Sequence, residues 1–303
     1  MGVAAGIIDV WAGGGDTPAG SWRTEDDGVT WRRQPFPEES FQFSDSARTA
    51  SGRIFVGGGT EMFTHPIWFS DDLGVTWQSA HGPALTGNWA QLLAASGASV
   101  YAFAGGGSLP GLLRSVDNGK TWDVTQSLPY QGVEAIHASG NGRLWLGTGL
   151  GAGGYTVFFS DDQGDSWQPA TFFTRFETCE DAFSIQSAGE TIFVLCGVVN
   201  PGPNLPFRLF RGNTGGTVFT DVSPNPGLGQ SMFVLNAETL WSGSDGGLVY
   251  FSDTAGDHWS EIAIPASLDG FQHYNQIWSG AGPTDFFIFN NDRRLSSLVA
   301  HYH

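Results

Sequence analysis

The chain has 303 residues and a formal net charge of −17; only 14% of positions are charged, 14% are aromatic, and 44 residues are glycine. That balance excludes a disordered chain, and a single lysine, Lys120, among 13 basic residues leaves no Lys/Arg cluster for nucleic acid or an anionic membrane surface. No apolar run approaches the roughly 18 residues of a membrane-spanning helix, so no membrane insertion is expected.

Short apolar runs alternate with glycine-rich turns along the chain. Asp9-Val10-Trp11-Ala12 runs into Gly13-Gly14-Gly15, and Thr24-Glu25-Asp26-Asp27-Gly28-Val29-Thr30-Trp31 follows. Arg53-Ile54-Phe55-Val56 ends in Gly57-Gly58-Gly59. A further strand, Ile67–Ser70, then enters Ser70-Asp71-Asp72-Leu73-Gly74-Val75-Thr76-Trp77. Trp89–Ala95 precedes Val100–Ala104 with its Gly105–Gly107 tail, and Leu112–Ser115 enters Ser115-Val116-Asp117-Asn118-Gly119-Lys120-Thr121-Trp122. Glu134–Ala138 and Val157–Ser160 lead to Ser160-Asp161-Asp162-Gln163-Gly164-Asp165-Ser166-Trp167. Asp181–Gln186 and Thr191–Cys196 read as a hairpin. Ser231–Asn236 and Leu248–Ser252 lie further on, and Tyr274–Ser279, Asp285–Asn290 and Leu295–Tyr302 close the chain as three strands.

The eight-residue segments share the pattern S/T-x-D-x-G-x-T/S-W. Two decayed copies, Arg211–Val218 with Val218 at the tryptophan position and Ser252–Trp259, complete a set of six. Their glycines, at 28, 74, 119, 164, 215 and 256, are spaced by 46, 45, 45, 51 and 41 residues. Four strands per repeat of about 45 residues is the size of a propeller blade. The segment resembles the Asp-box, or BNR repeat, of sialidase-like β-propellers. The resemblance covers Asp9 to Glu261. It implies an all-β chain: a single seven-bladed propeller of four-stranded antiparallel blades, with six blades as the alternative. The blades are expected at about 1–36, 37–82, 83–127, 128–172, 173–224, 225–265 and 266–303.

Physically, an Asp at the third box position can accept backbone N–H groups across the turn, and the glycine tolerates positive φ. Asp26, Asp72, Asp117 and Asp162 are therefore read as structural, with Trp31, Trp77, Trp122, Trp167 and Trp259 buried between strands. The resemblance places these boxes on the face away from any ligand. Aligning the first strand of each repeat puts Asp45, Gln91, Glu134, Asp181, Gln230 and Gln276 near the opposite mouth, with Trp89 and Tyr274 as stacking surfaces. Such a ring suits a sugar or other polar ligand, and equally a water-filled channel.

Other chemistry is poorly served. The glycine run Gly147–Gly154 leads into the strand Tyr155–Ser160, so the helix N-terminus of a phosphate loop is missing. The sialidase resemblance would require an arginine triad for a substrate carboxylate, and Arg53-Ile54-Phe55 only approaches its first motif. No catalytic set, metal ligand set or cofactor is expected. If Ser187 faces Glu190 across the hairpin turn, Cys179 and Cys196 stand within one pair of directly opposite, and a disulfide fits. That favours an oxidising compartment. Met1–Asp9 reads as no leader, so the expectation is a secreted or periplasmic chain whose leader has been removed, or else a cytoplasmic one. The reading reached is a non-catalytic binding or scaffold propeller for a glycan or protein. The alternatives are a glycoside hydrolase or lyase using Glu134, Asp181 and Asp45, and a subunit of a larger extracellular assembly.

Overall fold

The computed structural model describes the chain outside residues 1–2, 5–6, 15–16, 26–29, 61–65, 106–110, 126–131, 150–153, 175–177, 199–206, 225–227, 230, 244–248, 263–275, 280–285, 290–298 and 303. No α-helix occurs among the described residues; a single 3-10 turn, Pro83–Leu85, interrupts the strands. Each strand pairs with its sequence neighbours, so every sheet is a meander. The first sheet is β1 (Val3–Ala4), β2 (Ile7–Gly14), β3 (Thr17–Thr24) and β4 (Arg32–Pro35). The second is β5 (Gln42–Arg48), β6 (Ile54–Gly59), β7 (Ile67–Ser70) and β8 (Gln78–Ser79). The third is β9 (Trp89–Ser96), β10 (Ser99–Gly105), β11 (Gly111–Ser115) and β12 (Asp123–Thr125). The fourth is β13 (Val133–Ala138), β14 (Leu144–Thr148), β15 (Val157–Ser160) and β16 (Gln168–Pro169). The fifth is β17 (Asp181–Ala188), β18 (Thr191–Gly197), β19 (Phe207–Asn213) and β20 (Phe219–Asp221). The sixth is β21 (Met232–Val234), β22 (Leu240–Gly243), β23 (Val249–Ser252) and β24 (Ser260–Ile262). Three strands, β25 (Gln276–Ser279), β26 (Phe286–Phe289) and β27 (Val299–Tyr302), form the last. Six four-stranded sheets fit the six-bladed alternative, and the tail adds the three-stranded sheet. The first sheet opens with the two-residue strand β1, in a stretch of small and apolar residues ahead of Asp9.

The residues fall into two compact units. One comprises Met1–Gln131, Ile136–Ala138 and Asp161–Trp167; the other comprises Gly132–Ala135, Ser139–Ser160 and Gln168–His303. In the first unit, Phe55, Ile67, Leu93, Val100, Leu113 and Trp122 form one buried cluster, and Phe36, Phe41, Ile54, Trp68 and Trp77 form another. In the second, Trp145, Phe159, Phe173, Ile185, Val194, Phe210 and Phe219 pack together. Glycines at the ends of second strands let neighbouring sheets meet. A Cβ on Gly57 would lie 2.1 Å from Leu93 Cδ1, and one on Gly147 would lie 2.5 Å from the Ala182 carbonyl. Any side chain there would push the next first strand away.

The boxes are hydrogen-bonded turns. Thr76 N–H and Oγ1 donate to the Asp72 carboxylate at 2.8 and 2.6 Å, Gly74 N–H donates to Ser70 Oγ at 2.7 Å, and Trp77 Nε1 donates to Gly74 O at 3.1 Å. Asp117 repeats this with Thr121 (2.9 and 2.7 Å), Gly119 with Ser115 (2.8 Å) and Trp122 with Gly119 (3.2 Å). Ser166 N–H likewise donates to Asp162 at 2.8 Å. In the last box Thr254 stands where Asp is expected, and its hydroxyl accepts the His258 N–H at 2.9 Å. Trp77 and Trp122 are buried; Trp31, Trp167 and Trp259 are half-buried, and Asp26 lies outside the described residues. The fifth box differs from its sequence reading. Gly212 pairs with Phe219 across β19 and β20, so the eight positions run Gly212–Phe219. Val218 is 79% exposed, and Phe219, 5% exposed, fills the tryptophan's place against Trp145.

Arginines tie four of the boxes to the preceding sheet. Arg23, Arg114 and Arg211 each stand just before a box, and donate to the carbonyls of Leu73, Gln163 and Ala255. Those three residues occupy the fourth position of the following box, with φ of 58°, 61° and 55°. The αL conformation turns the carbonyl outward, where a guanidinium can reach it. In the even sheets the residue before the box is Phe69, Phe159 or Phe251. There Arg53 and Arg143 stack over Phe69 and Phe159 at 4.3 and 4.2 Å, and Arg53 Nη1 donates to Asn118 O at 2.8 Å.

Candidate functional site

The predicted ligand residues separate by environment. Gln230 and Tyr274 lie outside the described residues. Gln276 begins β25, and nothing is described of its side chain. In the first unit, β5, β9 and, in the second, β17 each carry a bulge, at Ser44, Gln91 and Phe183. A bulge frees a residue from the ladder and re-aims it. Gln91 is exposed at its bulge. Trp89 donates from Nε1 to Ser44 Oγ at 2.8 Å, and its ring lies 3.0 Å from where Gly59 would carry a Cβ. Asp45 accepts the N–H groups of Leu93 (2.8 Å) and Ser46 (2.7 Å), one on each oxygen. Burial pushes its carboxyl upward against those two bonds. Asp45 thus joins β5 to β9, and both its oxygens are already occupied by backbone.

Glu134 and Asp181 behave differently. Gly147 and Gly149 leave room for the start of β17 to press onto the end of β14. A Cβ at Gly149 would stand 3.1 Å from Asp181 Oδ1 and 3.2 Å from Glu134 Oε1, so the two carboxyls converge on one point. Gly149 is held there by its N–H bond to Gly132 O, 2.9 Å. Asp181 Oδ1 is buried and accepts no hydrogen bond. Burial, and then the Asp181 charge, raise the Glu134 carboxyl above its ordinary range. The segment carrying Asp181 is pinned. A disulfide joins Cys179 to Cys196 with Cα atoms 5.2 Å apart, Glu180 N–H donates to Gly197 O at 2.7 Å, and Thr156 Oγ1 donates to Cys179 O at 3.1 Å. The hairpin turn is shifted by one residue from the expected pairing of Ser187 with Glu190: Ala188 pairs with Thr191, and the bulge at Phe183 then sets Asp181 opposite Gly197. Chemically, the pair offers two converging carboxyl groups as hydrogen-bond partners, with Glu134 raised above its ordinary range.

Two positioning features escape the sequence reading. Gln186 accepts Val234 N–H (2.9 Å) and donates to Met232 O (2.7 Å), joining β17 to β21. No spacing signals it. The arginines before alternate boxes are visible once the boxes are aligned. Among the described residues no three His, Cys, Asp or Glu side chains converge as around a metal ion. No described helix is long and apolar enough to cross a membrane.

No protein-family model matches the sequence, and no curated protein matches it. Solved structures do. The chain is similar to YCF48 bound to D1 peptide, at TM-score 0.62 and 15% identity over 94% of this chain and 88% of that one. It is similar to the GH74 enzyme of Niastella koreensis, at TM-score 0.67 and 16% identity over 94% of this chain and 50% of that one. The extracellular domain of BT4673 from B. thetaiotaomicron matches at TM-score 0.62 and 10% identity over 95% of this chain and 38% of that one. The chain therefore spans about half the length of the GH74 enzyme and less of BT4673. These neighbours are β-propeller proteins, and the fold of this chain is an all-β propeller of four-stranded sheets.

Proposed function

We propose that this chain is a non-catalytic, extracytoplasmic binding propeller that recognises a glycan or protein partner through the sheet ends remote from its Asp-boxes. The boxes, as members of the sialidase-like repeat class, serve the scaffold. One observation carries the reading: Glu134 and Asp181 converge at Gly149, and Asp181 Oδ1 is buried without a donor. A buried acceptor left unsatisfied costs about 1–3 kcal/mol, which a ligand hydroxyl or N–H recovers. The disulfide supports a secreted or periplasmic location. Similarity to a structure solved with a bound peptide and to an extracellular domain supports a recognition role. Glycan-array and peptide-array binding by the intact chain is the test: saturable binding without turnover, weakened by Asp181→Asn, is expected.

A second reading rests on the same pair. Two carboxyls converging on one point, with Glu134 raised by burial, are the ingredients of a glycoside hydrolase in which Glu134 would donate the proton. Turnover of a polysaccharide or sialoside that disappears in Glu134→Gln would establish this reading and overturn the first. Neither binding nor turnover on either array would overturn both.

A further inference from the structure

The repeat supplies an internal comparison. The first unit holds two equivalent clefts, each between the outer strand of one sheet and the box of the next. The smaller, about 330 Å³, is lined by Arg114, Val116, Asp123, Asp161, Asp162, Gln163 and Asp165. Arg114 bridges it, reaching Asp123 of its own sheet at 3.0 Å and Asp165 of the next box at 2.8 Å. The larger, about 680 Å³, lies one sheet earlier, between β8 and the box of the third sheet. At the equivalent places it has Gln78 for Asp123 and Lys120 for Asp165. Phe69 replaces the bridging arginine, and Arg53, stacked on Phe69, spends its charge on Asp71 through two bonds of 2.7 Å. Lys120 is exposed and makes no ion pair among the described residues. His81, exposed, contacts Ser79 Oγ at 3.2 Å on the same rim. Where one cleft is bridged by Arg114 to the protein's own carboxylates, the larger one has no such bridge and presents the only lysine of a chain with net charge −17.

We propose that this cleft docks an acidic, extended peptide segment of a partner protein, a site separate from the Glu134–Asp181 pair. The carboxylate that Asp165 supplies in the smaller cleft would here come from the partner and meet Lys120, with His81 beside it. An extended backbone fits because β8 is the last strand of its sheet and borders the cleft, with its outer edge paired by no strand among the described residues. Trp77 and Phe69 line the apolar floor. Box position six holds Val29, Val75, Lys120, Asp165 and Asp257 in different copies, so it tolerates substitution.

The test is fluorescence anisotropy on the intact chain with two labelled decapeptides, one alternating Glu with Val and one alternating Gln with Val. The Glu peptide should bind saturably and lose affinity as salt rises from about 0.05 to about 0.5 M. Lys120→Glu should weaken it about tenfold, and Gln78→Glu, which restores an acid to the rim, should weaken it in the same direction. Equal binding of the Glu and Gln peptides, unchanged affinity in both variants, or no binding would overturn the proposal. So would Lys120-dependent binding of dextran sulfate with none of the Glu peptide, which would make a polyanionic glycan the occupant.

Discussion

The box glycine is held by two separate constraints, and they can be weighed against each other. Gly119 has φ +82°, and a Cβ there would lie 2.5 Å from Cε1 and Cζ of Phe55, whose side chain is fully buried in the preceding sheet. Gly119→Ala therefore incurs a left-handed backbone cost of about 1–2 kcal/mol and an overpacking cost of about 1–3 kcal/mol, because the ring cannot retreat within a close-packed core. The sum is about 2–5 kcal/mol. Gly142 is the control: φ is +88°, and nothing lies within 4 Å of the place a Cβ would take. Gly142→Ala should cost only the backbone share, about 1–2 kcal/mol. Urea unfolding followed by tryptophan fluorescence would measure both, and a double-mutant cycle with Phe55→Leu should return a coupling of about 1–3 kcal/mol. Equal losses at 119 and 142, with no coupling to Phe55, would refute the contact and leave backbone conformation as the whole reason for the glycine.

Three further outcomes follow from the same chemistry. Burial pushes the Asp117 carboxyl up, but bonds from Thr121, Ser115 and the Lys120 N–H outweigh it and bring it down to about 2. Its stabilisation is thus complete above about 3.8 and is lost as pH falls through about 2, so Asp117→Asn should cost about 1 kcal/mol at pH 7, a figure discounted for solvent exposure, and nothing near pH 2 in acid unfolding curves. Glu134 is shifted the other way, so its ionisation opposes folding once pH rises past the ordinary value of 4.5. Glu134→Gln should gain about 0.2–1 kcal/mol at pH 8 and lose that advantage at pH 4, measured as melting temperature against pH. Cys179 and Cys196 are separated by 17 positions, and replacing both with alanine should cost about 2–4 kcal/mol in denaturant titration. The same change should weaken ligand binding by the Glu134–Asp181 pair, since the bridge holds the segment that carries Asp181.

The repeated turn was legible because its chemistry is local: an Asp, a Gly and a hydroxyl within eight residues satisfy one another regardless of what lies beyond. Strands such as Ile67–Ser70 and Val157–Ser160 carry the same bounds in sequence and structure for that reason. The fifth box misled because one residue of slip exchanges the buried and exposed positions, and Val218 followed by Phe219 offers an apolar side chain for either register. The candidate site was legible only in part. Glu134 and Asp181 share a point because Gly147 and Gly149 admit β17, a contact between distant chain segments that no local pattern encodes. Asp45 looks the same as they do in sequence, yet the N–H of Leu93, 48 residues away, claims it. Whether a carboxylate on a first strand faces a ligand or a backbone amide depends on the neighbouring sheet.

The alternation of Arg23, Arg114 and Arg211 with Phe69, Phe159 and Phe251 before successive boxes gives the chain a longer period than the box itself. Its unit of construction is a couple of sheets: one member reaches forward with the arginine before its box, and the other carries a phenylalanine there, which in the second and fourth sheets lies beneath Arg53 or Arg143. A deletion or duplication of two consecutive sheets would keep this order in phase. Removal of one would set two like neighbours side by side, with mismatched partners at the join. Engineering by pairs is the route this architecture favours.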